Sequence, residues 1–242
     1  MKVALCLFGQ PRFIDNEFGQ ESHKHHIYKQ SEVDVFAHYW FDKESTVFNS
    51  SDWSTHHNNY VHPKSDELIQ KFYIPKVYLE EKPKEKFDYE ELRETCSRLS
   101  FFSENNFYNL RSHLYSFEKS LSLLESYVLE TGESYDYIVS SRYDNKIEFF
   151  PKLEELHKEK VYIDSRCNYN FTDAILLFDF NFLNYFKPYT NFEKLTSIVP
   201  AFTSEEYKKH SFLLNRSRDS FSHIDELHAR LLRARDDFVG QW

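Results

Sequence analysis

A chain of 242 residues with 40% hydrophobic side chains is long enough to bury one sizeable α/β core. Its net charge of −9, with no basic run or stripe, argues against nucleic acid as a partner. The 4 glycines form neither G-x-G-x-x-G nor G-x-x-x-x-G-K-[ST], so both glycine-rich phosphate loops are absent.

Cys6, Cys96 and Cys167 are far apart and odd in number, which predicts neither a zinc site nor a disulfide framework and suits a reducing compartment. The N-terminal apolar run Val3 to Phe8 is too short for a signal peptide. No segment approaches the ~20 apolar residues of a membrane span. The expectation is a soluble, cytoplasmic protein with no transmembrane segment.

In chain order, residues 2–8 are an unbroken apolar run that predicts a central parallel strand, ended by Gly9 and Pro11. A helix is expected over Asp15 to Gln30 and a second strand over Val33 to Trp40, together a βαβ unit. Residues 41–63, rich in Ser, Asn and His, read as a long loop. A short helix begins at Ser65 with Asp66 and Glu67 in its first turn, and Lys76 to Leu79 reads as a third strand. Phe107, Leu110, Leu114, Phe117, Leu121, Leu124 and Val128 alternate spacings of three and four, with Asn105 placed to cap the start and Gly132 the end. A core helix and a coiled coil share this spacing; the immediate return to a strand favours the core helix. Strands follow at 135–141, 161–163 and 173–178. The last third is expected to be mostly helical, one helix opening at Ser204-Glu205-Glu206 and a final one carrying Ile224, Leu227, Leu231 and Leu232. The chain reads as a single domain, residues 1–242.

Polar residues gather at the expected strand ends. Gly9 permits a tight turn and a close ligand, Gln10 offers an amide donor and acceptor, and Arg12 can meet a phosphate. His38, Tyr39 and Trp40 end the second strand at the same sheet edge, where Trp40 can wall a nucleotide pocket or simply pack in the core. Arg142-Tyr143-Asp144 ends the strand Tyr135–Ser141. In open α/β sheets this edge is where ligands bind. Asp144 can ligate a divalent metal, and Arg142 can pair with phosphate or with Asp144 itself. His23, His25, His26, His56, His57 and His62 match no metal-ligand spacing, and Ser140 and Ser141 lie in no nucleophile elbow.

Leu5-Cys6-Leu7-Phe8-Gly9-Gln10-Pro11-Arg12, Asp34-Val35-Phe36-Ala37-His38-Tyr39-Trp40 and Tyr135 through Asp144 together resemble a group of bacterial and viral glycosyltransferase-like proteins with the pattern G-Q-x-R, D-V-F-x-H-x-W, R-x-D. The resemblance covers about the first 150 residues. Phe8 and Tyr39 stand where the family usually has serine and often has threonine. It implies a GT-A-like fold: an α/β nucleotide-sugar-binding sandwich with a central, mostly parallel sheet. Residues 1–150 would form the nucleotide-sugar half and 151–242 the acceptor-side half. Arg142-Tyr143-Asp144 would replace the family's D-x-D motif, with Asp144 as the metal or diphosphate ligand and manganese or magnesium as the cofactor.

The expected function is transfer of a sugar from a nucleotide-diphosphate sugar to a saccharide hydroxyl. Gly9, Gln10, Arg12, His38, Trp40, Arg111 and Arg142 are the candidate donor-binding residues, and Asp173 and Glu205 the candidate catalytic bases. The alternatives are a nucleotidyltransferase acting on sugar phosphates and a non-catalytic binding protein on a degenerate GT-A fold.

Overall fold

Residues Lys2–Phe8 form strand β1 because the six consecutive apolar side chains Val3–Phe8 leave no polar face, and the strand is accordingly covered on both sides. Ala4, Cys6 and Phe8 point into one apolar cluster and Val3, Leu5 and Leu7 into the other. The structure, a computed structural model, describes residues 1–44, 47–48, 59–83, 104–164, 174–198 and 203–231.

Asn16 caps helix α1 (Glu17–His23) by accepting from the Phe18 N–H, and a π-helical turn (Lys24–Tyr28) leads to β2 (Glu32–Trp40). The short strands β3 (Val47–Phe48) and β4 (Asn59–Tyr60) pair antiparallel within the stretch expected to be a plain loop. Helix α2 (Ser65–Tyr73) and strand β5 (Val77–Glu81) follow, the strand running past Leu79.

The long helix α3 (Glu104–Thr131) has already begun at Asn105, which is therefore not its cap. Gly132, at φ +72, receives the chain at its end, and its N–H donates to Val128 O at 2.9 Å. Phe117, Leu121 and Leu124 of α3 pack on Ala4, Cys6 and Phe8, so the periodic stripe serves a sheet rather than a coiled coil. Ile69 and Tyr73 of α2 and Ile27 cover the opposite face.

Strand β6 (Tyr137–Arg142) turns through Tyr143 and Asp144 into β7 (Asn145–Phe149). Strands β8 (Val161–Asp164) and β9 (Ile175–Asp179) come next. The main sheet has seven strands in the order β10-β8-β9-β6-β1-β2-β5. It is mostly parallel; β9 runs antiparallel to both of its neighbours. The expected α/β class with a mostly parallel central sheet is therefore what the chain adopts, and strands from both halves build that one sheet.

The final third departs from expectation. A 3-10 turn (Phe180–Tyr185), helix α4 (Phe192–Ile198) and helix α5 (Ser204–Leu213) are present, but no helix carries Ile224, Leu227 and Leu231. Instead β10 (Phe221–Ile224) adds to the sheet edge beside β8, and β11 (His228–Leu231) pairs with β7. Leu227 and Ala229, two residues apart, are both buried. That is strand alternation, which the three- and four-residue spacing of the larger side chains conceals. Asn145 and Ile147 give β7 the same period-two pattern.

Candidate functional site

Strand β1 is flanked by β2 and β6, both parallel to it, so the C-terminal ends of all three open on one edge. Phe8 is in register with Arg142, which places the Gly9–Arg12 segment beside the β6–β7 turn. In that turn Tyr143 points inward, against Tyr39 and Tyr73 at 6.2 and 6.3 Å between ring centroids. Alternation then leaves Arg142 and Asp144 together on the other side. Burial raises the Tyr143 phenol well above its ordinary value, so it anchors the turn as a neutral group.

Arg142 grips Asp144 through two parallel bonds, Nε to Oδ1 and Nη2 to Oδ2, both 2.8 Å. Arg12 reaches the same carboxylate, its Nη2 lying 2.6 Å from Oδ2. Asp144 is 1% exposed. The Arg12 Nε–H is buried without a hydrogen-bond partner, an unusual state for a guanidinium. Two guanidiniums thus converge on one carboxylate within an acidic chain.

Beneath the turn runs a second chain of hydrogen bonds. Asn145 donates through Nδ2 to Ser141 Oγ at 3.1 Å and also to Ala174 O, and Ser141 Oγ lies 3.0 Å from His23 Nε2. His23 Nδ1 donates to Gly19 O at 2.8 Å. With Nδ1 carrying the proton, Nε2 accepts from Ser141. Burial holds the His23 imidazole down at about 4, so it stays neutral and the network keeps one polarity.

The other candidate residues of this edge form a separate cluster. The Gly9 N–H donates to Ser116 Oγ at 2.7 Å and Gly9 O accepts from Trp40 N–H at 3.2 Å. Gly9 sits at φ +100, a conformation that needs glycine. Ser116 Oγ is 2.6 Å from His38 Nδ1, and His38 Nε2 is 2.9 Å from Glu81 Oε2. Because a carboxylate only accepts, Nε2 donates to Glu81, while Nδ1 faces the Ser116 hydroxyl. Serine, histidine and glutamate stand in the order of a hydrolytic triad. Yet Ser116 is fully buried on the sheet-facing side of α3 with its oxygen committed to Gly9, so no substrate carbonyl reaches it. Trp40 stacks on Tyr115 at 5.2 Å and is 2% exposed. The wall of a nucleotide pocket expected of Trp40 is a core contact here, and His38 is likewise buried and committed.

Gln10 is half-buried, and its carbonyl accepts from the Arg12 N–H at 2.8 Å. Arg111 is elsewhere: its guanidinium lies over the rings of Tyr189 and Phe192, at 4.3 and 4.5 Å, and helps join α3 to α4. Glu205 stands in the first turn of α5, where the helix dipole favours an acid. Asp173 lies outside the described residues.

Sequence reading did not nominate Glu81, Ser116, Asn145 or Lys208, and it weighed His23 only as a metal ligand. Lys208 is buried with Nζ 5.1 Å from the Phe8 ring and 4.7 Å from the Phe117 ring. Ser116 carried a signal, a serine beside the apolar stripe of α3. Glu81 carried none, since its place opposite Trp40 is set by the register of β5 on β2.

Among the described residues, the donor set does not fit a divalent cation. Both Asp144 oxygens are engaged by guanidiniums, and the described residues contain no group of three or more His, Cys, Asp or Glu side chains able to hold a metal. At an effective dielectric of about 20, unit charges about 4 Å apart interact by about 4 kcal/mol. A dication that close to all three groups would meet about 16 kcal/mol of repulsion against about 8 kcal/mol of attraction.

No family model matches the chain, and no curated protein matches it significantly. Among solved structures it is similar to the galactosyltransferase LgtC in complex with donor and acceptor sugar analogs, with 8% identity and a TM-score of 0.41 over 92% of this chain and 73% of that one. It is also similar to mouse xyloside xylosyltransferase 1 in its apo form, with 7% identity and a TM-score of 0.35 over 93% of this chain and 85% of that one. At these values neither likeness decides activity, substrate or site residues. No described helix is long and apolar enough to cross a membrane.

Proposed function

We propose that this chain is a GT-A-like glycosyltransferase that moves a sugar from a nucleotide-diphosphate sugar to a saccharide hydroxyl. The observation that carries the reading is the convergence of Arg12 and Arg142 on Asp144 at the shared C-terminal edge of β1 and β6. This edge is the ligand side of an open α/β sheet. A diphosphate leaving group needs donors aimed at the charge that develops as the glycosidic bond to phosphate breaks. Two arginines held rigidly at one point are suited to that role.

In this reading the backbone turn at Gly9 and the amide of Gln10 receive the nucleoside, while Arg12 and Arg142 hold the diphosphate. His38, Ser116 and Glu81 fix the Gly9 turn from behind. The acceptor hydroxyl needs a carboxylate to take its proton. Glu205 is the candidate among the described residues. It lies one turn before Lys208, whose ammonium packs on Phe8 at the end of β1.

The test is release of nucleoside diphosphate from a panel of nucleotide sugars, with and without saccharide acceptors. Turnover is expected with at least one donor and is lost in Arg12→Gln. Failure of every donor to be hydrolysed or transferred would count against catalysis and favour a binding protein on the same fold.

A further inference from the structure

We infer that the anion site binds diphosphate directly through Arg12 and Arg142, without a divalent cation, and that Asp144 is a positioning residue that orients the two arginines. The inference rests on the glycosyltransferase reading for its ligand, but its geometry stands apart from it. Each oxygen of Asp144 already accepts from a guanidinium, Oδ1 from Arg142 Nε and Oδ2 from Arg142 Nη2, and Arg12 Nη2 forms an ion pair with Oδ2. A carboxylate in that state is a hinge pin for two cations rather than an open ligand for a third.

Arg12 shows the complementary feature. One edge of its guanidinium is spent on Asp144, and its Nε–H is buried with no partner. A buried donor is normally satisfied, and an unsatisfied one at a candidate site calls for a ligand. Phosphate oxygens suit it, because guanidinium presents planar, paired donors that match phosphate geometry. Arg142 is rigid for the same reason that it is oriented: the bidentate grip fixes its plane, and the Tyr143 ring and the Asn145 side chain pin the turn on either side of Asp144. Preorganised cations of this kind can do the charge neutralisation that a metal does elsewhere.

The experiment is isothermal titration of the full chain with inorganic pyrophosphate, in buffer with EDTA and again with excess magnesium. Binding is expected in EDTA, is not strengthened by magnesium, and weakens by about tenfold or more in Arg12→Gln and Arg142→Gln. Arg12→Lys retains the charge and guards against a folding artefact. It is expected to melt near wild type and still bind several-fold more weakly, since lysine lacks the fork. Asp144→Asn is expected to weaken binding equally in both buffers. Binding seen only with magnesium, binding lost selectively from the magnesium arm in Asp144→Asn, or no binding in either buffer overturns the inference. Pyrophosphate binding in EDTA with no response to any nucleotide sugar would leave it standing while defeating the glycosyltransferase reading. Nucleotide-sugar binding that requires manganese would do the reverse.

Discussion

Arg12 and Asp144 meet at 2.6 Å from two neighbouring parallel strands, one side chain four residues past the end of β1 and the other in the turn after β6. The contact ties the first loop of the chain to the strand end on which the candidate chemistry depends. It also makes the site sensitive to the loss of either charge.

Asp144→Asn is expected to lower stability by about 2–3 kcal/mol. Removing one partner of a buried ion pair typically costs about 3–5 kcal/mol. Here the cost is discounted because the Arg142 and Arg12 side chains keep 13% and 16% of their exposure and can relax toward water. Denaturant melts of the two proteins check this. A variant as stable as wild type would show that the guanidiniums need no counter-charge.

Ser116→Ala leaves the Gly9 N–H and the His38 ring without their shared partner. The expected cost is about 1–3 kcal/mol, the penalty for buried polar groups left unpaired. Gly9→Ala is expected to cost a similar ~1–3 kcal/mol, for a different reason. A Cβ there would meet nothing within 4 Å, so the cost comes only from holding alanine at φ +100. If Gly9→Ala melts like wild type, the turn is not strained as described.

Acid sensitivity follows from His23. Its folded-state value, about 4, lies below the ordinary 6.5, so the unfolded chain binds the proton first. Stability attributable to this group is therefore intact above pH 6.5 and falls as pH drops toward about 4, by on the order of 3 kcal/mol. His23→Gln is expected to flatten that part of the stability–pH curve. An unchanged slope between those pH values in the variant would remove His23 from the account.

Cys6 is fully buried, and burial pushes its thiol well up from its ordinary range. It is expected to resist modification in the native state and to react only on unfolding. Mass spectrometry after thiol labelling, with and without denaturant, assigns the modified position. Native labelling at Cys6 would show that β1 opens far more readily than its two-sided burial implies.

The strands that frame the site could be read from sequence because central parallel strands are apolar on both faces. Lys2–Phe8 and Tyr137–Arg142 announce themselves as runs ending in polar residues. Arg12, Arg142 and Asp144 could be nominated because each follows such a run. Their mutual contact could not, since a strand pattern gives edge and order but no side-chain path. The reading of Asp144 as a metal ligand could not include its ion pairs for this reason: the arginines that contact it arrive from two different strand ends. His38 and Trp40 look the same in sequence as pocket residues. Only their packing against Ser116, Glu81 and Tyr115 places them behind the Gly9 turn. The last strands were hidden because Ile224, Leu227 and Leu231 mimic a helical stripe, while the small Ala229 that completes the alternation carries little hydrophobic signal.

The most direct test of the central claim is a thermal-shift panel of nucleotide-diphosphate sugars on wild type and on Arg12→Gln, each with and without manganese. The account predicts that at least one nucleotide sugar raises the wild-type melting temperature with manganese absent. Binding at a hundredfold excess over the dissociation constant stabilises by about 2.7 kcal/mol, and the Arg12→Gln protein should lose most of that shift. A panel in which no nucleotide sugar moves the wild-type transition, with or without manganese, would contradict it.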